Sequence, residues 1–162
     1  GIALIVFGVI TLAGSAFMAA DDLLPIHGEA ALGAISCSPW ANDAGNAAYA
    51  AFEEVYRARM GRGADLFAAL GYDAGRLIAQ TTGRGADTLA RVAFASPRGR
   101  LAVDTAIRQT RAPLYVREVR WVGGALRNVT IAELELPADL DARLKSARSG
   151  PLSGWLNTYL CA

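Results

Sequence analysis

The sequence predicts a mixed α/β domain in which amphipathic helices cover a sheet, with a β-hairpin near the C-terminal end. Three observations carry that expectation. Between Asn46 and Met60, the residues Tyr49, Phe52, Val55, Tyr56 and Met60 recur at helical spacing, and between Asp65 and Gln80 so do Leu66, Leu70, Ala74, Leu77 and Ile78, with Phe67 beside them. Two short apolar runs, Ile2 to Phe7 and Ala34 to Ser38, are bounded by glycine or proline as buried strands are. Finally, Leu114 to Val122 and Ala125 to Glu133 are rich in β-branched and aromatic residues and flank Gly123-Gly124, a pair that reaches the positive φ of a two-residue hairpin turn without steric cost.

The bulk numbers allow one ordinary domain: 162 residues, 53% of them hydrophobic. Mean hydropathy is +0.27, high enough to suggest a further covered surface. The formal charge is +1, from 16 basic and 15 acidic residues, so no strong field draws in nucleic acid or an acidic membrane. Only one basic residue is a lysine, Lys145, and the arginines are scattered rather than striped. Cys37 and Cys161 are the two cysteines and His27 the one histidine, which argues against a metal centre within the chain and leaves a disulfide open.

Taken in order, residues 1–20 carry no charge. A membrane span, a secretory signal and a buried strand compete there; Gly8, Thr11, Gly14 and Ser15 weigh against a span, and the strand is preferred. Asp21-Asp22 opens a short helical turn through Leu24, with Pro25 near its end. After the strand to Ser38 comes a loop, Pro39-Trp40 and on to Gly45. On the first long helix Glu53 and Arg57 form an i,i+4 pair. Gly71 and Gly75, inside the second, predict close approach by another element. Gly83-Arg84-Gly85 is a plain loop, since no Gly-Lys-Ser/Thr follows it.

A third helix is expected from Asp87 to about Ala95, then a short strand ending at Asp104. If Gly123-Gly124 were the whole hairpin loop, Arg120 would oppose Arg127, so a wider loop or a bulge is expected. Asp139 to Arg148 reads as helical, Gly150-Pro151 breaks it, and Trp155, Leu156, Tyr159 and Leu160 suggest a last amphipathic turn. Of the residues with chemistry, Asp21, Asp22 and His27 share one short loop without a nucleophile, which argues against an enzyme.

The ordered series Ala30-Ala31-Leu32-Gly33 before a strand, Phe52…Tyr56, Gly71-Tyr72-Asp73-Ala74, Phe94-Ala95-Ser96-Pro97-Arg98-Gly99, Val103-Asp104, and Tyr115 to Val119 with Gly123-Gly124 and Asn128 resembles the C-terminal half of a type I periplasmic solute-binding protein of the branched-chain amino acid (Leu/Ile/Val) family, the receptor subunits of ABC importers. The resemblance covers roughly Ile2 to Glu133. It implies partial type I periplasmic-binding-protein lobes, with helices on a mostly parallel sheet. It also implies a cleft that closes on a small solute by hinge motion.

Family members are about twice as long, so the two long helices are expected to cover a sheet whose other strands lie outside this chain. On this reading residues 1–136 are the C-terminal portion of a solute-binding protein and 137–162 a helical tail. Thr11, Ser38 and Trp40 are the cleft candidates, while Tyr72 and Asp73 anchor a helix. The implied partners are an amino acid-like solute and a membrane permease, with a homodimer through exposed apolar faces, no nucleic acid, no cofactor and no metal. The implied location is periplasmic or extracytoplasmic. The rival readings are a dimerising domain that binds nothing small and a ligand-sensing regulatory domain of the same fold.

Overall fold

The computed structural model describes residues 12–105, 109–134 and 138–149. The expected strand at residues 2–7, the candidate Thr11, the break at Gly150-Pro151 and the final aromatic turn lie outside the described residues, as does Cys161. Cys37 is exposed.

Two sheets organise the described residues. The first has the order β1 (Ala13–Ser15), β2 (Ile35–Ser38), β6 (Leu114–Val122), β7 (Ala125–Leu134), and the second the order β3 (Ala93–Ser96), β4 (Gly99–Asp104), β5 (Gln109–Arg111). The α/β class and the partial lobe hold, but the sheets are mixed: β1–β2 is parallel and every other pairing is antiparallel, where a mostly parallel sheet was expected. The cause is connectivity. Tight turns join β3 to β4 and β6 to β7, and such turns can link only antiparallel neighbours.

Helix α1 (Leu24–His27) begins two residues later than the Asp-Asp pair predicts, with Pro25 at its start rather than its end. Proline lacks the N–H that a first helical turn leaves unbonded, so it fits there. Helix α2 (Ala47–Met60) is capped by Asn46, whose side chain accepts from the amide of Ala48, and ends at Gly61 in the left-handed conformation. Helix α3 (Leu66–Thr81) is capped by Asp65. The Glu53–Arg57 pair forms, and the same glutamate accepts from the Ala64 amide at 2.9 Å, closing the α2–α3 loop.

The inward face of α3 is Ala69 and Asp73, flanked by half-buried Leu66 and Leu77, while Leu70 and Ile78 stay exposed. The apolar stripe read from sequence is thus rotated away from the core. A Cβ at Gly71 or Gly75 would meet nothing within 4 Å, so no described element approaches either glycine. The third helix is a 3-10 turn over Ala86–Arg91, and Ala93–Ser96 is strand because it pairs with β4. Helix α4 (Ala138–Ser149) matches its expectation.

The hairpin turn is Gly123-Gly124 alone, both at positive φ, and Arg120 does oppose Arg127. The expected wider loop is not needed because Arg120 turns back to Glu118 on its own strand, at 2.6 Å. A bulge does occur, further along: the register slips between Val116 and Arg117.

Two small cores hold the sheets. Ala19, Leu24, Ala31, Ala34 and Val119 pack under the first sheet, and Val92, Phe94 and Leu101 under the second. Between α2 and α3 lies an open apolar hollow of about 700 Å³ lined by Phe52, Val55, Tyr56, Met60 and Tyr72. Among the described residues, no helix is long and apolar enough to cross a membrane.

Candidate functional site

The chain after β1, the chain after β2 and the start of α3 converge on a pocket of about 60 Å³. Ser38 ends β2 and is buried; its Oγ accepts the backbone N–H of Trp40 at 3.1 Å. That bond turns the chain so that the indole of Trp40 goes inward, where it is 1% exposed and meets the edge of Tyr49 with ring centroids 5.0 Å apart. The loop beyond Trp40 is pinned by Asp43, which accepts from the amide and the hydroxyl of Thr130 on β7. Both Ser38 and Trp40 therefore line the pocket.

Asp21 and Asp22 line it too, but His27, exposed at the end of α1, does not. Asp65 is occupied as a helix cap: it accepts from the Ala68 amide at 2.8 Å and pairs with Arg62 at 3.0 Å. Burial raises its pKa, but the Ala68 amide and Arg62 more than offset that and hold it below the ordinary aspartate value. Phe17, after β1, and Phe67, on α3, stack at 6.0 Å along one side.

The cation of the pocket is Arg117, on β6. Residues Tyr115, Arg117 and Val119 point to the buried side of that strand. Its guanidinium donates to Ser36 Oγ at 3.2 Å and lies 3.9 Å from Asp21 Oδ2, while its buried Nε has no acceptor among the described residues. Burial pushes its pKa down, with Asp21 and Asp43 opposing. Asp21 is itself held by Asn128, whose Nδ2 donates at 2.8 Å both to Asp21 Oδ1 and to the carbonyl of Ala19.

Arg117, Asn128 and the phenylalanine pair are absent from the candidates read from sequence. The signal for Arg117 was present: a lone charged residue between Tyr115 and Val119 at a two-residue period. Chemically, the pocket offers a desolvated guanidinium edge, three aromatic rings and no histidine or cysteine among its lining residues. The carboxylates of Asp21, Asp22 and Asp65 line it as well. Among the described residues, no cluster of three or more histidine, cysteine or carboxylate groups could hold a metal.

Residues 5–125 match the family described as Periplasmic binding protein. The chain belongs to that family. Among solved structures, this periplasmic binding protein chain is similar to a solute binding protein of an ABC transporter from Rhodopseudomonas palustris BisB5 in complex with 3,4-dihydroxybenzoic acid: 28% identity, TM-score 0.67, with 78% of this chain and 37% of that one covered. A second solute binding protein, from R. palustris in complex with benzoate, is also 28% identical, with TM-score 0.60, 75% of this chain and 35% of that one covered. A leucine binding protein from Thermotoga maritima, at 21% identity and TM-score 0.62, covers 82% of this chain and 39% of its own and shares the fold. The chain thus spans a little over a third of the length of these structures. No curated protein matches it significantly.

Proposed function

We propose that this chain is the C-terminal portion of an extracytoplasmic solute-binding component of an ABC importer, and that its solute is a small aromatic carboxylate bound without reaction. The observation that carries the reading is the desolvated Arg117 beside Trp40, Phe17 and Phe67 in one pocket. A guanidinium edge matches a carboxylate, and flat apolar walls match a ring. The benzoate and 3,4-dihydroxybenzoate complexes of the two relatives named above support the same class. In this reading Ser38 and Trp40, with Thr11, are the solute-facing residues first taken from sequence. Residues 1–136 are the binding portion and 137–162 a tail, and the closed form engages a membrane permease.

An amino acid-like solute, the class expected from sequence, shares the carboxylate but needs an anion for its ammonium group. Asp21 and Asp65 are already engaged, which leaves Asp22 to supply it. Calorimetric titration with benzoate, 4-hydroxybenzoate, 3,4-dihydroxybenzoate and leucine separates the two. The aromatic acids are expected to bind and leucine is not; binding of leucine alone would return the site to the amino acid class. The exposed side chains Val55, Met60, Phe67 and Ile78 are those a homodimer through apolar faces would bury, and light scattering checks that.

A further inference from the structure

The poorly satisfied guanidinium has a consequence for selectivity. Arg117 is 3% exposed, yet its ion pair with Asp21 spans 3.9 Å, beyond hydrogen-bond reach, and its Nε lacks any acceptor among the described residues. A buried charge so weakly compensated is costly, and a well-placed anion relieves that cost. Asp21 cannot fully supply that anion from where it sits. Asn128 holds its Oδ1, and its side chain is 41% exposed, so water competes for it.

From this we infer that Arg117 is the anion anchor of the site, selecting solutes by their carboxylate, and that Asp21 is a weak internal rival for the same guanidinium. The inference rests on the aromatic-carboxylate reading above. The solute carboxylate would take Nε and the neighbouring Nη, the edge on which a guanidinium receives two oxygens at once. Ser36 Oγ accepts from that same Nη, Nη2, which has a second hydrogen to give, so the cation is already oriented before the solute arrives, and Nη1 faces Asp21. The cavity, about 60 Å³, suits a carboxylate head, the rest of the solute passing along the stacked rings of Phe17 and Phe67. Asp21 then adjusts affinity: its negative charge opposes the incoming anion, and neutralising it removes that opposition.

The test compares benzoate with benzamide, which keeps ring and shape but not the charge. The wild-type chain is expected to bind benzoate at least about tenfold more tightly, as a charge-assisted pair warrants. Arg117→Met should erase that preference while leaving benzamide affinity within about threefold, and Asp21→Asn should tighten benzoate but not benzamide. As a measurement that needs no variant, the Nε–H resonance of Arg117 in the wild-type chain should shift on titration with benzoate and stay still with benzamide. Equal binding of the two ligands, or a retained preference in folded Arg117→Met, overturns the anchor while the aromatic reading stands. Failure of both ligands to bind overturns both.

Discussion

Asp73 on α3 and Arg98 in the β3–β4 turn are joined by a 2.6 Å ion pair with both side chains buried. The pair ties the helix layer to the second sheet. The turn is also held by Asn46, which donates to the carbonyl of Ser96 at 2.9 Å, and by the Tyr115 hydroxyl, which donates to the carbonyl of Arg98 at 3.0 Å. Removing one charge strands the other in a dry site. Asp73→Ala is expected to cost about 3–5 kcal/mol, and the double change Asp73→Leu with Arg98→Met far less. Urea denaturation of the three chains measures both.

Gly99 and the helical glycines should respond in opposite directions. Gly99 has φ +112°, and a Cβ there would sit 2.7 Å from Pro113 Cγ and 3.1 Å from the Tyr115 hydroxyl. Gly99→Ala is expected to lower stability by roughly 2–4 kcal/mol, through backbone strain and overpacking together. Gly71→Ala and Gly75→Ala meet open space in a helix and should each raise it by about 1 kcal/mol. Thermal unfolding of the single variants reads the sign directly.

At the hairpin, Arg120 and Arg127 face each other across the strands. Arg127→Glu converts a like-charge pair into an opposite one and should stabilise by roughly 0.2–1 kcal/mol. The gain should shrink in high salt, since the arginines are exposed.

Asp65 supplies a pH dependence. Its folded pKa lies below the ordinary value, so the folded state prefers its carboxylate charged. The resulting stability is present above the unfolded value of about 3.9 and is lost as pH falls through the folded one. Asp65→Asn keeps the cap but not the charge. The wild-type advantage over this variant, measured by denaturation, should therefore hold at pH 6 and fade in acid.

Much of the fold was legible locally. The extent of α2 follows from its Asn46 cap and its stop at Gly61, the start of α3 from its Asp65 cap, and the presence of a hairpin from Gly123-Gly124. Where the reading failed, a partner overruled the local pattern. Ala93–Ser96 has helical neighbours on its N-terminal side but pairs with Gly99–Ala102, and the stripe of α3 turns because Asp73 is drawn to Arg98. Ser38 and Trp40, cleft candidates implied by the family resemblance, come together in one pocket because they are neighbours in a turn directly after β2. Phe17 and Phe67 were not legible as site residues, because their stacking joins segments fifty residues apart.

Periodicity and short motifs alone carried the α/β class, the positions of α2 and α3 and the presence of a hairpin around Gly123-Gly124. That Arg117 faces inward and that Asn128 reaches back to Ala19 and Asp21 came from long-range contacts. Those contacts span about a hundred residues, and no local period can encode which distant group will meet a side chain once the sheets have paired.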